Sequence, residues 1–95
     1  MSTPASVNVL IPSVFTSYTQ GSHSHRVRAD TVGQAIANLV EDFPPLKAQL
    51  LDEGGNLLNY VQLFVNENNI RDLDDLKTPL SDQDELLLVP ALAGG

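Results

Sequence analysis

The sequence predicts an α+β domain in which a mixed sheet of four to five strands carries one main helix packed across it. Three observations carry that expectation. Apolar residues alternate with period two near both ends of the chain, at Val7, Val9 and Ile11 and again at Val61, Leu63 and Val65. Between them lies one apolar stripe of helical spacing, Val32, Ile36, Leu39 and Phe43. The resulting order, strand, strand, helix, strand, short strand, strand, layers naturally as a helix on a sheet.

The first strand contains Val7, Val9 and Ile11 and ends at Pro12, which cannot donate to a ladder. Residues Ser13 to Ser24 are rich in Ser and Thr and read as a long connection into a second strand, His25 to Ala29, so that the two strands form a hairpin. Asp30 and Thr31 open the helix. Thr31 and Gln34 have the T-x-x-Q spacing of a capping box, in which each side chain satisfies an orphaned backbone donor. Pro44-Pro45 ends the helix, because the second proline disfavours helical geometry in the first. Leu46, Leu50 and Leu51 suggest a further helical turn closed by Gly54-Gly55.

Tyr60 to Asn66 is the third strand, and Asn66-Glu67-Asn68-Asn69 is turn chemistry, since Asn bonds its own backbone and tolerates positive φ. A short strand, Ile70 to Asp72, completes a hairpin, and Asp74 to Leu76 forms a helical turn. Ser81 to Asp84 is a polar turn before the last strand, Glu85 to Val89, whose near-continuous apolar character places it in the middle of the sheet beside the first strand. Residues 1–89 therefore form one domain, and residues 90–95 a flexible tail.

Composition excludes several functions. A net charge of -7 with only five Lys and Arg argues against nucleic acid, whose binding rests on neutralising phosphates. An acidic surface suits docking on basic protein patches. The absence of cysteine removes disulfides, thiolate catalysis and Cys-ligated metals. Met1 to Ser6 lacks the basic and apolar regions of a secretory signal, and no apolar run approaches the roughly 20 residues that span a bilayer, so a cytoplasmic location without membrane partners is expected.

His23 and His25 flank Ser24, but a metal needs further ligands that the neighbouring sequence does not offer, so no metal is expected. The series Asp72, Asp74, Asp75, Asp82, Asp84 and Glu85 lacks EF-hand spacing and reads as a solvated or partner-facing surface. The chain shows no catalytic constellation of its own.

The C-terminus has different chemistry. Gly94 and Gly95 make a tip thin enough to thread a narrow channel, since glycine tolerates close approach. Six extended residues, Pro90, Ala91, Leu92, Ala93, Gly94 and Gly95, reach about 20 Å, and Pro90 stiffens the exit. The bland alternative is a frayed end.

The run Phe64-Val65-Asn66-Glu67-Asn68-Asn69-Ile70-Arg71, with Leu73, Leu76, Thr78-Pro79-Leu80, Asp82, Asp84-Glu85 and Val89 to Gly95, resembles the ThiS/MoaD family of ubiquitin-like sulfur carriers. The likeness is close over roughly the last third and looser before it. The chain departs from the family pattern at Asn68-Asn69, where an acidic residue is usual, and at Gln83, where glycine is usual.

The resemblance implies a β-grasp fold and a chemical cycle. An adenylating enzyme related to ubiquitin activators uses ATP to activate the Gly95 carboxylate, a sulfur donor displaces AMP, and the resulting thiocarboxylate feeds a biosynthetic enzyme. By resemblance that acceptor is first a cysteine synthase, then the large subunit of molybdopterin synthase. The chain is then a carrier, holding no permanent cofactor. Two other readings remain: a protein modifier joined through Gly95 to lysines, and a β-grasp interaction module with an inert end.

Alternation also predicts a docking surface. If Val61, Leu63, Val65, Leu86 and Leu88 face the helix, then Phe64, Leu87 and Val89 share the opposite sheet face near the tail's exit. The competing expectation is that the Ser13 to Ser24 connection covers them.

Overall fold

Val7 and Val9 are fully buried on one side of strand β1 (Ser6–Leu10), whose remaining residues are half-buried on the other. The computed structural model describes residues 4–90 of the chain. After β1 come β2 (Ser24–Arg28), helix α1 (Val32–Asp42), the short helix α2 (Lys47–Leu50), β3 (Val61–Val65), β4 (Asn68–Asn69) and β5 (Glu85–Pro90). The five strands form one sheet in the order β2-β1-β5-β3-β4. β1 and β5 lie side by side at its centre, as expected; they run parallel, and the remaining pairs are antiparallel.

Helix α1 covers one face. Val32, Ala35, Ile36 and Leu39 are buried there against Val61, Leu63, Leu86 and Leu88. Thr31 caps the helix as predicted, its Oγ1 accepting from the Gln34 N–H at 3.2 Å. The return bond of the capping box is displaced by one residue, since Gln34 Oε1 accepts from the Asp30 N–H at 2.6 Å. The helix start is further locked to the segment before β5: Val32 N–H donates to the Thr78 carbonyl at 3.0 Å and Leu80 N–H to the Asp30 carbonyl at 2.8 Å.

Several local expectations need correction. The connection after β1 contains a 3₁₀ turn, Ser13–Tyr18, that inserts Phe15 into the core. β2 begins one residue earlier than predicted and ends one residue sooner. The short fourth strand is Asn68–Asn69, while Ile70–Asp72 is a 3₁₀ turn, because the Asn69 side chain accepts from the Arg71 N–H at 2.9 Å and caps it. Another 3₁₀ turn lies at Asp75–Lys77, one residue beyond the expected position. Gly54-Gly55 does not close α2, which ends where Leu51 turns extended and bridges Leu57. The glycines instead belong to a loop organised by Asp52, whose Oδ1 accepts from the N–H groups of Gly54 and Asn56, both at 2.9 Å. β5 runs one residue past Val89, so Pro90 is a strand residue opposite Val61.

Candidate functional site

The helix covers only the inner face of the sheet. On the outer face, Leu10 stands opposite Leu87, and Leu87 opposite Phe64, so three apolar side chains line up across β1, β5 and β3. Neighbouring strands are about 4.8 Å apart, which makes this row roughly 10 Å wide. Val89 adjoins it toward the end of β5, opposite Gln62. Polar residues ring the patch: Ser24 and Asn69 close its two ends, and Arg26, Asn8 and Glu85 form the next row. An apolar centre within a polar rim is how protein interfaces are built.

The structure thus puts Phe64, Leu87 and Val89 together on one face, each half-buried. The Ser13 to Ser24 connection does not cover them. Its Phe15 and Tyr18 pack into the core, and its 3₁₀ turn lies against Pro44–Leu46 on the helix side. Leu10 is the member that sequence reasoning missed. Its phase in β1 was legible, but its place beside Leu87 depends on the parallel β1–β5 register, which no local pattern encodes.

The end of β5 fixes where the chain leaves the sheet. Pro90 pairs with Val61, and the Gln62–Val89 pair holds the preceding step. Ala91, Leu92, Ala93, Gly94 and Gly95 lie outside the described residues. A surface depression of about 680 Å³ lies at the opposite end of the sheet among Ser6, Arg28, Asp30 and Asp82. No buried side-chain nitrogen or oxygen among the described residues lacks a partner, so none is held in reserve for a ligand.

His25 finds a partner that sequence reasoning missed. It faces inward from β2, where its Nε2 lies 2.8 Å from Oδ2 of Asp42, and its ring meets Phe43 edge-on at 4.7 Å. Asp42 is 17 positions away, so only the crossing of α1 over β2 reveals the contact. His23 is exposed and does not join them. Among the described residues there is no group of three His, Asp or Glu able to hold a metal. Among the described residues, His25–Asp42 is also the one close contact between a basic side chain and a carboxylate. No helix among them is long and apolar enough to cross a membrane.

Comparison with known proteins adds the family. The model described as the ThiS family matches residues 14–95. The sulfur carrier protein CysO of Mycobacterium tuberculosis is 32% identical over 91 residues, covering 94% of this chain and 98% of that protein. A chain in the solved BexX/CysO complex of Amycolatopsis orientalis superposes with a TM-score of 0.85 at 30% identity, covering 94% of this chain and 99% of its own length. The small archaeal modifier protein 1 of Methanosarcina acetivorans gives a TM-score of 0.87 at 26% identity, with both chains fully covered. These likenesses fix the ubiquitin-like β-grasp architecture, with its mixed five-stranded sheet and crossing helix.

Proposed function

Because the chain belongs to the ThiS family, we propose that it is a sulfur carrier, a co-substrate protein whose reactive group is the carboxylate of Gly95. The observation that carries this reading is the likeness to the carrier CysO over 94% of the chain, together with the ThiS family match, which runs through Gly94 and Gly95. An adenylating partner joins the Gly95 carboxylate to AMP from ATP, releasing pyrophosphate. A carboxylate has no good leaving group, whereas the mixed anhydride has phosphate. Hydrosulfide then attacks the acyl carbon, the bond to AMP breaks, and a thiocarboxylate remains.

The body of the protein serves to dock. Leu10, Phe64, Leu87 and Val89 supply an apolar contact for the activating and accepting enzymes, on the face away from α1. Docking energy comes from burying this patch, worth roughly 25 cal/mol per Å² of apolar surface before the costs of association. The helix-side residues are consumed by the core and contribute nothing to it. The sulfur acceptor favoured by the likeness to CysO is an enzyme of cysteine synthesis.

Intact mass spectrometry after incubation with ATP, the activating enzyme and sulfide tests the reading. A sulfur carrier gains the mass difference between sulfur and oxygen on its C-terminal peptide. An unchanged mass in a fully active assay refutes it.

A second reading is favoured by one specific observation, the likeness to small archaeal modifier protein 1. The same acyl-adenylate can acylate a lysine amine instead of hydrosulfide, releasing AMP and a proton and leaving an amide. In the mass experiment this fate gives adducts linked to lysine.

A further inference from the structure

Arg71 stands at the end of the sheet from which the chain continues past Pro90. The placement follows from two contacts: Val61 is the partner of Pro90, and the carbonyl of Asn59, two residues before Val61, accepts from Arg71 Nη2 at 3.2 Å. The backbone of Arg71 is held by the Asn69 side chain at 2.9 Å. The chain has 12 Asp and Glu side chains, and Asp72, Asp74 and Asp75 follow Arg71 within four positions, yet the guanidinium is paired with none of the described ones. It turns to a backbone carbonyl instead. That bond uses one of five N–H donors, and the rest of the exposed planar fork meets no other partner among the described residues.

Tyr60 lies between Asn59 and β3 and is 50% exposed, one of three large apolar side chains so exposed among the described residues. An exposed arginine bonded to the residue next to an exposed tyrosine brings together two of the side-chain types that dominate binding energy at interfaces.

The chemistry of the terminus gives these two residues a purpose. Gly94 and Gly95 have no side chains, so an enzyme that accepts them reads little identity from the tip. Discrimination falls to groups that meet the mouth of the enzyme's channel, where the tail joins the body. We propose that Arg71 and Tyr60 form a recognition collar at the root of the tail, and that its occupant is a carboxylate-bearing rim of the adenylating enzyme's channel. This rests on the carrier reading above. Arg71 acts as a specificity residue: its fork takes a carboxylate in two parallel hydrogen bonds, which fixes rotation about the tail as well as distance. The apolar patch supplies area, and the collar supplies orientation. The competing role for Arg71 is a brace that only ties the Ile70–Asp72 turn to the loop before β3.

The test measures thiocarboxylate formation with the adenylating enzyme recovered on the tagged full-length chain, with ATP and sulfide supplied. Arg71→Gln keeps one donor for Asn59 but loses the charge and the fork. It is expected to raise the KM for the carrier about tenfold at low salt, the effect of one charge-assisted hydrogen bond, with kcat unchanged. High salt should narrow the gap, and the unfolding midpoint should stay at the wild-type value. Arg71→Lys restores charge without the fork and should fall between the two, and Tyr60→Ala should raise KM independently of salt. A wild-type KM for Arg71→Gln overturns the collar alone, as does a salt-independent rise accompanied by a lower unfolding midpoint, which marks a brace. Absence of product from the wild-type chain overturns the carrier reading and the collar with it.

Discussion

The carbonyl oxygen of Leu76 lies 3.1 Å from the point that a β-carbon on Gly33 would occupy, and the Leu76 β-carbon lies 3.3 Å from it. α1 can approach the Asp75–Lys77 turn this closely because residue 33 has no side chain. The turn cannot yield cheaply, since Lys77 N–H donates to the Asp74 carbonyl at 2.9 Å and Asp74 N–H to Thr78 Oγ1 at 3.0 Å.

Gly33→Ala sets two effects against each other. The substitution gains up to about 1 kcal/mol of helix propensity, but overpacking against fixed backbone costs about 1–3 kcal/mol. The clash wins, and urea unfolding should show a net loss of about 1 kcal/mol. A more stable variant would mean that the turn moves freely.

Gln83 should be improved by glycine. Its φ is 74°, in the left-handed region that costs a residue with a side chain about 1–2 kcal/mol. The Gln83 N–H bond to the Ser6 carbonyl at 2.9 Å is retained in the substitution. Part of the gain is offset by the extra freedom of glycine in the unfolded chain, so Gln83→Gly should stabilise by about 0.5–1 kcal/mol. Asn66, with φ at 58°, is expected to behave oppositely. Its side chain accepts from the Glu85 N–H and donates to Asp84, both at 3.1 Å, so Asn66→Gly should destabilise by about 1 kcal/mol. Parallel denaturation curves for the two variants check the pair.

His25 and Asp42 form a partly exposed pair, with 30% and 52% of their side-chain surfaces accessible. Such pairs contribute between about 0 and 1 kcal/mol. A double-mutant cycle with His25→Gln and Asp42→Asn should give a coupling in that range. Zinc added to the wild-type chain should leave its unfolding midpoint unchanged, since two ligands do not make a structural site. A raised midpoint would reveal a third ligand.

The outer face and the core predict opposite phenotypes from adjacent positions. Leu87→Asp, Phe64→Asp and Leu10→Asp should weaken docking on the activating enzyme while leaving the domain folded, because none of the three belongs to the buried core. Leu88→Ala, one residue along β5, removes a side chain that is 1% exposed and should cost about 2–5 kcal/mol of stability. Unchanged affinity in all three outer-face variants would remove the docking assignment.

Element type was readable wherever one residue pattern dominated. The period-two runs at Val7–Ile11 and Val61–Val65, the α1 stripe and the Pro44-Pro45 stop translate directly into local structure. The face shared by Phe64, Leu87 and Val89 followed from alternation alone. What escaped were features set by contacts distant in sequence. Leu10 joins the patch only through its register with Leu87, and His25 meets Asp42 only through the crossing of α1. The misplaced fourth strand has another cause: the Asn69 side chain captures the Arg71 N–H, and this local bond diverts Ile70 and Asp72 from the sheet.

The central claim is that the Gly95 carboxylate is the reacting group and that the folded body presents it. Exchange of radiolabelled pyrophosphate into ATP by the activating enzyme measures formation of the acyl-adenylate directly. The wild-type chain should support exchange, and a chain lacking Gly95 should support none while unfolding at the same urea midpoint. Equal exchange with both chains would contradict the account.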